Sequence, residues 1–166
     1  DFYPDEKWRK IQDMKECRKN ASAISMTPDT IYVFGGTSNT HQSLNSIEMY
    51  MVSSNTWQTL RVTMPKALCF LTTFKVSPTQ ILILGGSRNE DPPQKSLNSP
   101  SQKMLSSHVY KFDLLNPGFK RMPDLPQGFI SLYPAFYDGQ EHQLVLIHED
   151  CGDNEPSCIK YPLSGL

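Results

Sequence analysis

One short pattern, an apolar run closed by two glycines, occurs twice and constrains the fold more than any other feature. The first copy is TIYVFGG at Thr30–Gly36, and the second is QILILGG at Gln80–Gly86. Met14 and Met64 each lie 21 residues before the first glycine of a copy. A fixed period of about 50 residues predicts that one structural unit is repeated along the chain.

Aromatic residues recur with the same period. Trp8 and Trp57 lie 27 and 28 residues before the two glycine pairs. Tyr50 is seven residues before Trp57, and Phe112 is seven residues before Phe119. Because several landmarks repeat in register, the repeat extends well beyond the glycines.

A third copy of the unit is eroded. LYPAFYDGQEHQLVLIHE at Leu132–Glu149 resembles LTTFKVSPTQILILGG at Leu71–Gly86, but residues around Ile147–Glu149 stand in place of its glycine pair. Ser157–Leu163 is a candidate for the third strand of this unit. The third unit is therefore expected to keep the strand pattern and to diverge in detail.

Each full unit is predicted to contain four β-strands and no helix. The glycine-ended runs are short, apolar and rich in β-branched residues, which is typical of buried strands. The other predicted strands are Ala21–Met26, Ile47–Val52 and Thr56–Val62 in the first unit, and Leu68–Val76, His108–Leu114 and Gly118–Met122 in the second. A repeated four-stranded antiparallel unit of about 50 residues is typical of a β-propeller blade.

The repeated residues have physical roles in such a blade. A glycine pair permits positive φ and lets a neighbouring backbone or ring approach closely. Tyr50 and Trp57 are expected to fill the wedge between blades, because aromatic side chains bury a large area. The alternative is an ordinary β-sandwich core, which does not require the same landmarks to recur.

This combination of residues resembles the Kelch repeat. The first unit gives YVFGG at Tyr32–Gly36, then Tyr50, then Trp57. The second unit keeps the aromatic character, with LILGG followed by Phe112 and Phe119. The structural repeat residues of the two units are Gly35, Gly36, Tyr50, Trp57, Gly85, Gly86, Phe112 and Phe119, and Trp8 resembles the tail of a preceding repeat.

The resemblance implies an all-β chain of Kelch-type β-propeller blades, each a four-stranded antiparallel sheet. Residues 1–14 are assigned to the outer strand of a preceding blade, with a strand around Trp8–Met14. Residues 20–62 form one blade, residues 66–122 a second blade with a long loop at 87–107, and residues 128–166 a divergent blade.

These blades are too few for a closed ring. Propellers typically have about four to eight blades, and an open arc would expose strand edges. We therefore expect a fragment of a longer propeller, or a chain completed by another. The remaining blades would come from the rest of the chain or from another subunit.

Two polar loops connect the second and third strands of the full blades. The longer loop, Ser87–Ser107, contains several prolines and few apolar residues, and the shorter is Thr37–Asn45. Both should emerge on the face that carries the connections between blades, where recognition commonly occurs. The resemblance implies that this face grips protein segments. The candidate partner-binding residues are Arg88, Asn89, Glu90, Asp91, Asn39 and His41.

Charge and motifs exclude several functions. Lys and Arg total 16 against 17 Asp and Glu, so no bulk charge favours nucleic acid. No apolar run approaches the length of about 20 residues that a membrane span needs, and a cytoplasmic protein is expected. The sequence contains no recognised catalytic motif, and its four histidines have no metal-ligand spacing. No cofactor, metal or catalytic residue is therefore predicted. For Cys151 and Cys158, a disulfide and reduced thiols both remain open.

The sequence thus favours a non-catalytic protein-interaction scaffold. In similar proteins, such a propeller recruits substrates to a ubiquitin ligase or docks onto the cytoskeleton. One alternative is an enzyme on a Kelch-like propeller, such as a copper radical oxidase. Another is a structural component of a large assembly.

Overall fold

The described part of the chain consists of β-strands and their connections. The computed structural model describes residues 9–88, 104–129, 133–138, 143–148 and 157–163, and no helix occurs in those residues. The strands are β1 (Ser22–Thr27), β2 (Thr30–Phe34), β3 (Ile47–Met51), β4 (Thr56–Thr59), β5 (Thr72–Ser77), β6 (Gln80–Leu84), β7 (Ser87–Arg88), β8 (Met104–Leu105), β9 (Val109–Asp113), β10 (Gly118–Met122), β11 (Tyr133–Asp138), β12 (Gln143–His148) and β13 (Ser157–Pro162). The predicted all-β class is confirmed.

Three antiparallel sheets follow one another along the chain. The first sheet has the order β1-β2-β3-β4, the second β5-β6-β9-β10 and the third β11-β12-β13. A small separate pair, β7 with β8, lies within the connection from β6 to β9. The first two sheets share one register, because Ile31 pairs with Tyr50 in one and Ile81 pairs with Phe112 in the other. The common register accounts for the period seen in the sequence.

Both glycine pairs hold a backbone conformation that favours glycine. The φ angles are +58° at Gly35, +99° at Gly36, +63° at Gly85 and +94° at Gly86. The second glycine of each pair donates its N–H to the chain that enters the next sheet, to Leu68 O at 2.9 Å and to Phe129 O at 2.7 Å. A Cβ added at Gly35 would overlap the Leu68 carbonyl oxygen. The pairs therefore join consecutive sheets through close backbone approach.

Two clusters of buried side chains pack the sheets together. The cluster between the first and second sheets is Met26, Phe34, Ile47, Met64, Leu68, Leu71, Ile81, Ile83 and Phe112. The cluster between the second and third sheets is Leu82, Leu84, Val109, Met122, Leu125, Phe129, Leu144, Leu146, Tyr161 and Leu163. Alternate residues of β6 serve the two clusters, so this strand is buried on both faces. That is why its sequence is apolar throughout.

The repeat aromatics form one ring pair in each of the first two sheets. Phe112 and Phe119 have ring centroids 4.8 Å apart, and Phe112 also meets Phe34 edge-on at 5.8 Å. This pair lies between the first and second sheets. Tyr50 and Trp57, 4.9 Å apart, lie on the opposite face of the first sheet from the buried cluster. They pack toward residues 9–16 and not toward the second sheet.

The predicted strand Trp8–Met14 is wrong over its described part. Residues 9–14 are irregular, and Trp8 lies outside the described residues. Side chains take the backbone bonds that a ladder would need: Gln12 N donates to Asn55 Oδ1 at 2.9 Å, and Trp57 Nε1 donates to Gln12 O at 2.8 Å. The segment therefore runs beside the first sheet without pairing to it.

Two predicted strands are longer than the observed ones. The strand predicted at Leu68–Val76 begins at Thr72, and the strand predicted at Thr56–Val62 ends at Thr59. Leu68 bonds to the first blade instead, because its N donates to Leu44 O in the connection from β2 to β3 at 3.1 Å. A pattern of apolar residues does not distinguish these cross-sheet bonds from a ladder.

Further expectations fall outside what the structure describes. The disulfide alternative for Cys151 and Cys158 involves a residue beyond the described ranges. Within those ranges, no helix has both the length and the apolar character that crossing a membrane would require.

Candidate functional site

Three connections meet at one end of the first two sheets, and we call this end the loop face. They are residues 35–46 between β2 and β3, residues 60–71 between β4 and β5, and the described part of residues 85–108 between β6 and β9. Backbone bonds tie the first two together: Leu68 N donates to Leu44 O at 3.1 Å, and Met64 N donates to Asn45 O at 2.8 Å. These backbone bonds hold the two connections against each other, and they therefore define the shape of the loop face.

The long connection of the second blade is anchored at both ends. Ser87 pairs with Leu105, and Arg88 pairs with Met104, which forms the two-stranded ribbon of β7 and β8. Ser106 N also donates to Gly86 O at 2.8 Å. The sequence predicted a single loop over Ser87–Ser107, and that is wrong at its two ends, which pair as strands. Polar residues without alternation gave no signal for so short a ribbon.

A cleft of about 530 Å³ opens on the loop face between the first and second sheets. Its walls come from all three connections. The lining residues are Asn45, Pro65, Lys66, Ala67, Leu68, Arg88, Leu105, Ser106, Ser107 and His108. We call this feature the loop-face cleft.

The charged groups in and behind this cleft are mostly basic. Lys66 Nζ lies 2.7 Å from His108 Nε2. Arg121 Nη2 lies 2.9 Å from Nδ1 of the same ring. Ammonium and guanidinium groups can only donate, so a neutral imidazole can accept only one of these two bonds. Behind the ring, Arg121 Nη2 binds both carboxylate oxygens of Asp124 at 2.9 and 2.7 Å. The nearby carboxylate is therefore already paired.

The predicted partner-binding residues do not all lie in the loop-face cleft. Arg88 is exposed and lines the loop-face cleft. Asn39 and His41 are exposed on the loop face in the connection from β2 to β3, but they do not line the cleft. Asn89, Glu90 and Asp91 lie outside the described residues. Sequence reasoning missed Lys66 and His108, which reach the cleft only because the two sheets pack together.

A smaller groove of about 280 Å³ lies elsewhere between the same two sheets. It is mainly apolar, with Arg61 as its charged lining residue, and is lined by Tyr32, Leu60, Arg61, Val62, Phe112, Leu114 and Pro117. Burial raises the pKa of the Tyr32 hydroxyl above its usual value. This groove offers few polar groups that could select a polar ligand.

A buried ion pair at the start of the first blade was not anticipated. Arg18 Nη2 lies 2.6 Å from Glu48 Oε1, and the side chains are 1% and 0% exposed. Glu48 also accepts backbone N–H bonds from Lys15 at 2.8 Å and Glu16 at 3.0 Å. Arg18 donates to Gly35 O at 2.8 Å. The pair therefore fixes residues 15–18 against β3 and the first glycine pair.

The second blade replaces this pair with uncharged residues. Tyr110 corresponds to Glu48, because Val33 pairs with Glu48 and Ile83 pairs with Tyr110. Leu68 corresponds to Arg18, because the next residues, Cys69 and Lys19, form equivalent bridges to Ser87 and Thr37. Charged residues in the first repeat thus correspond to uncharged residues in the second, and this difference is the sequence signal that could have revealed the pair. The exchange also places an aliphatic side chain, Leu68, at the floor of the loop-face cleft.

The described residues contain no group of three or more His, Cys, Asp or Glu side chains that could hold a metal ion. The cleft itself offers cations, one imidazole, hydroxyls and apolar surface. Such groups can bind an anionic or mixed polar and apolar ligand through charge-assisted hydrogen bonds.

Comparison with known proteins gives a motif and a fold. Residues 18–61 match the family model of the Kelch motif. The solved structure of the propeller protein YjhT is similar, with a TM-score of 0.66 and 15% sequence identity over 98% of this chain. The chain spans 57% of the length of that structure. No curated protein matches the sequence. The chain therefore has the Kelch-type propeller fold, with a Kelch motif at residues 18–61.

Proposed function

We propose that this chain is a non-catalytic protein-binding module whose contact surface is the loop face. The observation that carries the proposal is the loop-face cleft, which is formed by three separate connections and lies between two blades. Binding clefts commonly combine apolar walls with a few polar groups that fix orientation. The cleft has both, with Leu105 and Pro65 beside Lys66 and Arg88.

The proposed cellular role is recruitment of a substrate to a ubiquitin ligase, or docking onto a cytoskeletal protein. Either role needs a surface that binds a partner while the rest of the protein connects to other components. The expected cytoplasmic location belongs to this proposal and stays a prediction. Since fold alone does not determine activity, the cleft is the feature that supports this role.

Completion of the propeller is part of the same proposal. The first two sheets have four strands each, whereas the third sheet has three in the described residues. The remaining blades would be supplied by further residues or by another subunit, which would cover the outer edge of β13. Sedimentation of the purified 166-residue chain tests this point, and a stable monomer would contradict it.

A photo-crosslinking experiment tests the binding surface. A photoreactive amino acid replaces Leu105, which lines the cleft and is 49% exposed, or Leu115, a control in the β9–β10 turn that is 74% exposed. We expect one recurring protein to crosslink from position 105 and not from position 115, and to bind the purified chain directly. Equal crosslinking from both positions, or none, would contradict a loop-face binding surface.

The non-catalytic part of the proposal has its own test. Elemental analysis of the purified protein should find no stoichiometric metal. Copper bound in a one-to-one ratio would overturn this part and favour an oxidase on the same fold.

A further inference from the structure

The loop-face cleft has one sign of charge. Lys66, Arg88 and His108 line it, and none of the ten described residues that line it is Asp or Glu. The carboxylate of Asp124 lies 3.4 Å from His108 Nδ1, but Arg121 already binds both of its oxygens. Within the described part of the chain, Lys66 and Arg88 have no carboxylate partner. An incoming anion would therefore meet two cations that no described carboxylate neutralises.

The two cations belong to different elements. Lys66 belongs to the connection between the first and second sheets, and its ammonium is positioned by the bond to His108 Nε2. Arg88 belongs to β7, whose pairing with β8 fixes the backbone at its base. Because both side chains line the same cleft, a carboxylate bound there can be reached by either cation. Such charge-assisted hydrogen bonds are stronger than neutral ones.

Apolar surface adjoins the cations. Leu105 is half exposed at the rim, and Pro65, Ala67 and Leu68 contribute the remaining apolar lining. A purely anionic small ligand would leave this surface uncovered. A peptide that carries an acidic side chain beside an aliphatic one would cover both kinds of surface, and the volume lies within the range of about 300–1,000 Å³ found for ligand pockets.

We propose that the loop-face cleft binds an acidic protein segment, with an Asp or Glu carboxylate between Lys66 and Arg88 and a neighbouring apolar side chain on Leu105. This inference rests on the proposed function and names the chemistry of the partner. It commits to a segment from another protein, because the described lining supplies positive charge and no acid of its own. The association should weaken with salt, as expected for partly exposed charges.

The test is a selection from a library of random 12-residue peptides displayed on phage, with the full 166-residue chain as the target. We expect the selected peptides to be enriched in Asp and Glu next to Leu, Ile or Phe. Synthetic copies are then measured by calorimetry against the parent and two variants. Lys66→Ala/Arg88→Ala removes both cleft cations, and Arg61→Ala/Lys120→Ala removes two exposed cations elsewhere.

The proposal requires a specific pattern of affinities. Lys66→Ala/Arg88→Ala should weaken binding about tenfold or more, since hydrogen bonds to charged groups contribute more than neutral ones. The control variant should bind within about twofold of the parent. Replacing the acids of the peptide by Asn and Gln should cause the same loss in the parent and little further loss in the cleft variant.

Other outcomes separate this proposal from the proposed function. Peptides that lack acids and crosslink at position 105 would overturn the acidic partner while leaving a protein-binding cleft. Failure to select any peptide, together with no crosslinking at position 105, would overturn both. If acidic peptides bind only after Glu90→Gln/Asp91→Asn, the chain's own acids compete for the site, and the proposal of a free cleft is overturned.

Discussion

Gly35→Ala places a methyl group where the chain entering the second sheet passes. The φ of +58° costs about 1–2 kcal/mol for a residue with a Cβ. The new Cβ also overlaps Leu68 O, which accepts the bond of 2.9 Å from Gly36 N. Loss of that bond adds about 0.5–1.5 kcal/mol. We therefore expect the free energy of unfolding to fall by about 2–3 kcal/mol.

Thermal denaturation followed by circular dichroism measures this loss. A destabilisation of about 2–3 kcal/mol should lower the Tm by about 4–12 °C in a chain of this size. Gly118→Ala is the matched control, because an added Cβ there comes no nearer than 3.6 Å to Asn116 O. Its effect should stay within about 1 kcal/mol. Equal melting of Gly35→Ala and the parent, or equal losses in both variants, would refute the cross-sheet argument.

Three further predictions concern ionisable groups. Glu48→Gln leaves the buried Arg18 guanidinium with the partly exposed Glu16 carboxylate, 3.4 Å away, as its remaining counter-charge, so urea denaturation should show a loss of about 3 kcal/mol. Burial, with a smaller effect of the nearby Asp124 carboxylate, raises the pKa of Tyr161 to about 12. The folded state favours the neutral hydroxyl of Tyr161, so this contribution to stability is complete below pH 10.0, the usual tyrosine pKa, and is lost as the pH rises toward 12. A spectrophotometric titration should show this late tyrosine in the parent and not in Tyr161→Phe. Hydrogen bonds from Gln80 and two backbone N–H groups lower the pKa of Asp113 below 3.8, so its stabilisation is present above that pH and is lost as the pH falls further. Asp113→Asn should reduce this acid sensitivity, measured as Tm against pH.

The repeat made the strand order predictable because each landmark has a local cause. Positive φ explains the glycines, and burial on both faces explains the apolar run of β6. The strand predicted at Gly118–Met122 matches β10, and that predicted at Ser157–Leu163 overlaps β13 closely. These elements need only short-range information, namely alternation and turn residues.

Cross-sheet features were harder to predict. The cleft residues Lys66 and Arg88 are 22 positions apart in the sequence and meet only through packing of the first two sheets. No sequence pattern singled out Arg18 and Glu48, although both side chains are fully buried. The sequence pattern of a strand shows which residues alternate between its two faces. It does not show which distant backbone groups will form hydrogen bonds to a buried charge. Such a pair can be recognised where charged residues in one repeat correspond to uncharged residues in the next.

The ribbon of β7 and β8 has a consequence for how such a protein can change. Ser87, Arg88, Met104 and Leu105 close the connection at its base, next to the end of the second sheet. Lengthening a flexible insert costs little, about 0.6 kcal/mol for each doubling. A change of insert between these paired residues could therefore alter binding specificity while the strands of the blade stay the same.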